Sequence, residues 1–309
     1  DALLGNLPPA GTKNVRDDMV AVRLVEAIAM TPTQRQPLPA ADLPAGLQRP
    51  STTSLSPHGP QRVLAELPLA ADGTFQVRLP ADVPFRIQAL DAAGMMVGTP
   101  HNRWFSGSGG QTIHQGVRDA ATYTGQCAAC HGGVDGDPAH VFVAPDVLTT
   151  ASITLSRYAD QNPRRPMDPP VAGDGTRMQV DFMADIQPLL QRGCASGACH
   201  GGPQPAAALD LRATPTKHFS RAYETLLQRG PGSGNGWRWL DASAGSARAS
   251  YVVEKLLGVE LEAPRALPAA ASPHLSASPA ATAWQPDELR QFLCWIDLGA
   301  SWRGHGGSP

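Results

Sequence analysis

The sequence predicts an α+β multidomain chain. A β-rich, sandwich-like region spans residues 1–118, a short segment with a Cys-x-x-Cys-His motif spans 119–175, and a mostly α-helical domain with a Cys-x-x-x-x-Cys-His motif spans 176–309. Three observations predict it. Short alternating, β-branched runs separated by turn residues lie between residues 20 and 98. Beyond residue 180 the apolar residues recur at helical spacing instead. Two cysteine pairs, Cys127/Cys130 and Cys194/Cys199, are each followed directly by a histidine, His131 and His200.

In chain order, Val20 to Ala27 alternates and reads as a strand, and 31–60 is rich in Pro, Ser and Thr and reads as a long loop holding His58. Arg62 to Leu67 is a second strand. Ala71-Asp72-Gly73-Thr74 signals a hairpin whose partner strand is Phe75 to Leu79. Phe85 to Asp91 alternates again, and Ala93-Gly94 turns the chain into Met95-Met96-Val97-Gly98, with both methionines expected in the core. Residues 101–118 connect this region to the first motif through a Gly-rich stretch that lacks the pattern of a phosphate loop.

Ala120 to Ala129 can form the helix that presents Cys127 and Cys130. In the last domain, Asp181 caps a helix over 182–192 that Gly193 ends, with Pro188 bending or restarting it. Ser220 caps a helix from Arg221 to Arg229, and a third covers 247–257. Pro286-Asp287-Glu288 opens the last helix, which buries Leu289, Phe292, Leu293 and Ile296 and stops at Gly299. Cys294 and Trp295 flank that stripe and are expected in the core, with an electron-relay role for the aromatics as the alternative.

The chemistry lies in the two motifs. Cys-x-x-Cys-His is the attachment pattern of a c-type haem: two thiols bond the porphyrin and the adjacent imidazole becomes the proximal iron ligand. Four cysteines could instead form a zinc ribbon, and one pair a redox dithiol. Neither needs a histidine directly after each pair, and histidine makes up only 9 of 309 residues. Both motifs are therefore read as covalent sites for two haem c groups, with Cys127, Cys130, His131, Cys194, Cys199 and His200 as the binding residues. The first iron's sixth ligand is expected to be Met167, set among prolines, with His140, His114 and His101 as alternatives and an open position as another. No methionine follows Met183, so the second iron's distal ligand is expected to be His274, with His218 as the alternative and His305 in a Gly-rich tail set aside. A bis-His haem has a lower potential than a His/Met one.

Composition narrows the setting. Net charge is −2, with no basic patch of the kind nucleic acid requires. No apolar run approaches a membrane span. The chain begins with Asp rather than Met, as expected of a processed chain, and covalent haem attachment implies a periplasmic or other extracytoplasmic location. No disulfide is expected, since it would compete for the haem thiols.

Several stretches resemble one family. Phe182-Met183-Ala184-Asp185-Ile186-Gln187-Pro188-Leu189-Leu190, Leu209-Asp210-Leu211-Arg212, Ser250 to Leu256 and Trp295-Ile296-Asp297-Leu298-Gly299-Ala300 resemble a planctomycete-type cytochrome c domain. Leu64 to Leu69, Asp72 to Phe75, Leu79 to Phe85 and Gln88 to Asp91 are similar to the β domain ahead of Cys-x-x-Cys-His in relatives of the hydrazine synthase alpha subunit. The resemblance covers roughly 60–135 and 180–303 and implies a β domain with haem followed by a haem domain. Two departures accompany it: the longer second motif, and the lack of room in 309 residues for the β-propeller often found ahead of these domains.

The leading expectation is an exported dihaem cytochrome that passes electrons between redox partner proteins. The second is a dihaem oxidoreductase, peroxidase-like or acting on nitrogen compounds. In it the first iron is open, the second haem is a relay, and His114, His140 or Asp135 serve as acid–base groups. The third is an electron-transfer subunit of a larger complex.

Overall fold

The computed structural model describes residues 19–28, 38–47, 61–69, 75–98, 104–111, 153–154, 180–228, 239–242, 245–259, 261 and 284–302. Its β part is an antiparallel three-stranded sheet in the order β2-β1-β4, from β1 (Ala21–Ala27), β2 (Gln61–Pro68) and β4 (Phe85–Leu90). A short β3 (Val77–Arg78) pairs in parallel with β5 (Ile153–Thr154).

This corrects the expected hairpin. β2 pairs with β1, not with the segment after it. The reason lies in burial. Five consecutive residues of β1, Val22 to Glu26, are buried, so β1 gains most by taking both the β2 and β4 edges. In β3, Val77 is half-buried and Arg78 exposed, so pairing it beside β2 would gain little apolar contact.

Period-2 alternation gives the sheet two unlike faces. Val22, Leu24, Leu64, Ala65, Leu67, Val83 and Phe85 form an apolar cluster on one. Opposite Leu24 and Val25 the register on β2 steps from Ala65 to Val63, leaving Leu64 as the extra residue of a bulge. The other face carries the cross-strand row Glu66, Arg23, Gln88 and the row Val63, Val25, Arg86.

That polar face is buried against the helical part. Helix α1 (Gln187–Gly193) follows a π-helical turn over Phe182–Ile186, and α2 (Arg221–Leu227), α3 (Tyr251–Leu257) and α4 (Pro286–Asp297) complete the described helices. Asp181 accepts from the Ala184 amide and Ser220 from the Tyr223 amide, so both expected caps are present. Pro188 has no N–H to give the Ala184 carbonyl, and the preceding turn is π-type, with the Gln187 amide bonded five residues back to Phe182. The core of this part is aromatic: Phe182 lies 4.8 Å from Tyr223, 5.3 Å from Trp295 and 5.4 Å from Trp302, ring centre to ring centre. Val25, Val63 and Met95 from the sheet side join the same core.

Asp297, at the end of α4, fastens the two parts together. Its carboxylate accepts from Arg23 Nη1 at 3.3 Å and from the Met96 and Ala247 amides at 2.8 Å each. Its backbone carbonyl accepts from Gln88 Nε2 at 2.8 Å and Arg86 Nη2 at 3.2 Å. Gln61 Nε2 reaches the next carbonyl, Leu298, at 3.1 Å. Arg23 also binds Glu66 Oε1 at 2.7 Å, and Arg290 of α4 closes on the other oxygen of Glu66. The side chains of Arg23 and Asp297 are both wholly buried. Charges so placed are tolerable only because each finds several partners.

Candidate haem centre

The second motif begins where α1 ends. Gly193 is required there, since a Cβ would lie 2.5 Å from Nε1 of Trp284. Cys194 caps the helix: its amide and that of Ala195 both donate to the Leu190 carbonyl, at 2.8 and 2.9 Å. The four residues between the cysteines form a compact loop. The Ser196 carbonyl accepts from the Cys199 amide at 3.0 Å and from Gly201 at 2.8 Å, and the His200 amide returns to the Cys194 carbonyl at 3.2 Å. The longer cysteine spacing is thus absorbed by a turn closed on Ser196. Gly201 is packed so closely on Ala195 that a Cβ would fall 2.0 Å from its carbonyl oxygen.

His200 is half-buried, with Nδ1 3.0 Å from the Leu209 carbonyl oxygen. A carbonyl only accepts, so Nδ1 carries the proton and Nε2 holds the lone pair. Burial holds the imidazole below its ordinary pKa, against the opposing pull of the backbone carbonyls, and so favours the neutral ring that a metal ligand needs. Leu209 is delivered by an unusual turn. Ala207 and Ala208 both take left-handed φ values, 53° and 58°, a conformation that strains a non-glycine residue by about 1–3 kcal/mol. The Ala206 amide ties this turn to the Cys199 carbonyl at 3.0 Å.

Cys194 and Cys199 are free and half-buried. Burial, with Cys199 beside it, pushes the Cys194 thiol up to about 12. A reactive dithiol or thiolate–metal site calls for the opposite shift. Among the described residues no group of three or more His, Cys, Asp or Glu could hold a metal ion. What the loop offers is two thiols, one oriented imidazole and a glycine-lined bend, a donor set that fits a covalently tethered haem with His200 as its axial ligand. Among the described residues, Gln291 on α4 is buried with neither amide atom partnered, one turn beyond Glu288, which holds Arg192 at 2.5 Å beside the loop.

The other expected site residues divide in two. His218 lies with Nε2 3.2 Å from Asp42 Oδ2, and the hydrogen bonds of Lys217 and His218 hold the Asp42 carboxyl below its usual range. Cys127, Cys130, His131, His114, His140, His101, Met167 and His274 lie outside the described residues. Cys294 is fully buried, and burial pushes its thiol up to about 12. The role of the Leu209 carbonyl was not legible from residue type, because any residue supplies a carbonyl.

In fold, the chain is similar to the solved structure of hydrazine synthase from Kuenenia stuttgartiensis, with TM-score 0.56 and 21% identity, over 100% of this chain and 43% of that one. In sequence it is similar to hydrazine synthase subunit alpha of the same organism, 28% identical over 341 residues, covering 98% of this chain and 40% of that protein. Residues 19–113, which contain the three-stranded sheet, match the family model described as the hydrazine synthase alpha subunit middle domain. The chain spans about two fifths of the length of the relatives it matches. Among the described residues no helix is long and apolar enough to cross a membrane.

Proposed function

We propose that this chain is an extracytoplasmic dihaem c-type cytochrome that transfers electrons between redox partner proteins. Cys127 and Cys130 tether one haem, with His131 as its proximal ligand; Cys194 and Cys199 tether the other, with His200. Met167 is the proposed distal ligand at the first centre, with His140 and His114 as alternatives. His274 is proposed at the second, with His218 as alternative. When bound, each haem supplies a one-electron iron couple whose potential the axial ligands set. The protein's part is to hold and orient. The observation that carries the reading is the His200–Leu209 hydrogen bond, which fixes the tautomer and leaves the lone pair on Nε2. His218 is the weaker distal candidate, because its Nε2 is engaged by Asp42.

A second reading is a subunit of a larger oxidoreductase that acts on nitrogen compounds. Its support is the similarity to a protein named hydrazine synthase subunit alpha and the match of residues 19–113 to that subunit's middle domain. In this reading the first iron keeps an open position. Ferric optical and EPR spectra separate the two. Two low-spin centres unchanged by cyanide, hydroxylamine or peroxide support the electron carrier. A high-spin centre that binds them overturns it in favour of the oxidoreductase.

A further inference from the structure

We propose that Gln187, Gln191 and Thr225 are positioning residues for His200, locking the Leu209–Leu211 segment and thereby setting the potential of the haem held there. The proposal rests on the reading of Cys194, Cys199 and His200 as a haem centre.

Three consecutive carbonyls of this segment are each taken. Leu209 accepts from His200 Nδ1 at 3.0 Å. Asp210 accepts from Thr225 Oγ1 at 2.7 Å. Leu211 accepts from Gln187 Nε2 at 3.2 Å and Gln191 Nε2 at 3.1 Å. The Leu211 amide returns to the His200 carbonyl at 2.9 Å. Thr225 has one hydroxyl hydrogen and its shortest contact is Asp210; the helix carbonyls of Arg221 and Ala222 lie farther, at 3.0 and 3.3 Å. Gln187 is itself aimed by Ser220, whose hydroxyl donates to Oε1 at 3.2 Å.

The clamp comes from two helices. Gln187 and Gln191 stand one turn apart on α1, the helix that ends at Gly193 and passes directly into Cys194. One rigid element therefore places the first thiol and grips the segment that orients the imidazole. Thr225 grips it from α2. The grip has work to oppose, because the segment leaves the left-handed pair Ala207–Ala208, which relaxes if released. A second partner that holds a ligand imidazole by its other nitrogen raises its donor strength. A stronger donor stabilises ferric iron and lowers the potential. Loosening the clamp lets the Leu209 carbonyl drift, weakens the donor and raises the potential of this haem alone.

Gln191 is exposed and Thr225 half-exposed, so substitutions there leave the aromatic core in place. The test is spectroelectrochemical titration of the matured dihaem protein, with the ligand field at each iron read by ferric EPR. Gln191→Leu and Thr225→Val are each expected to shift one haem's midpoint upward and move its g values, leaving the other haem unmoved. Thr225→Ser, which keeps the hydroxyl, is expected to match the parent. Midpoints and g values unchanged in both variants overturn the proposal, as does a Thr225→Ser shift equal to that of Thr225→Val. Haem retention is read separately, on the tryptic peptide Gly193–Arg212. A haem-free peptide in the parent protein defeats the underlying reading, whereas a haem-bearing peptide with unmoved potentials defeats only the clamp.

Discussion

Around His200 the partners are main-chain atoms a few residues away: Leu209, Cys194, Ser196 and Ala206 fold the loop on itself. Around Asp297 they are side chains and amides from across the chain, the farthest being Arg23 at a separation of 274 residues. Both regions fix polar groups away from water. The loop does it with local geometry, which depends on where a Cβ is missing. The interface does it with paired charges, which depend on specific side chains. The two should therefore fail under different substitutions.

The largest effect is expected at Asp297→Ala. It removes the acceptor for Arg23, Met96 and Ala247 while leaving Arg23 buried, and breaking a buried pair in this way costs roughly 3–5 kcal/mol. Denaturant unfolding should report the loss. A cost near that of a surface substitution would remove Asp297 from its place as the fastening point.

Gly201→Ala comes next. Its Cβ has no room 2.0 Å from the Ala195 oxygen, and the backbone must shift at a cost of about 1–3 kcal/mol. The expected result is loss of haem on the second motif with the first retained, read by mass. Ser196→Ala, which alters an exposed side chain and keeps the carbonyl that closes the loop, is expected to retain both haems. Equal outcomes for the two variants would erase the contrast between loop and interface.

A pH profile sharpens the interface side. Burial pushes Asp297 up to about 6 against the attraction of Arg23. Folded protein then holds this proton more tightly than the unfolded chain does. The contribution is fully present below the unfolded value of about 3.9 and is lost as pH rises through 6. Glu66, held below its ordinary range mainly by Arg23 and Arg290 against its own burial, acts in the opposite sense, so the difference between parent and Asp297→Asn isolates the group. Parent stability is expected to fall relative to the variant between pH 4 and 6 and to run parallel above 7. Parallel curves throughout would contradict the shift.

The smallest effect tests the helices that frame the loop. Ser220→Ala removes the cap on α2 and the donor that aims Gln187, with a loss of about 1 kcal/mol in thermal unfolding.

The same contrast explains how much was legible in the sequence. Asp181, Ser220 and Gly299 announced helix ends because capping chemistry is local, and the structure places caps and a left-handed stop at those residues. The spacing of the two cysteine pairs carries an expected chemistry, and of the two only Cys194 and Cys199 fall within the described residues. The strand partner of Arg62 to Leu67 was misread, since a nearby turn signal says nothing about the distant strand Ala21–Ala27 that competes for the same edge. Arg23, Glu66, Gln88 and Asp297 alternate with apolar neighbours and look like solvent-side residues until a second element covers them.

Proteolysis of the matured protein tests whether the loop ending in His200 binds haem covalently, as proposed. Trypsin cleavage after Arg192 and Arg212 releases Gly193–Arg212, which contains Cys194, Cys199 and His200. The peptide is expected to carry the absorbance and mass of one haem joined through both thiols. The same peptide recovered at its bare mass, with both cysteines open to alkylation, would show that this loop holds no haem.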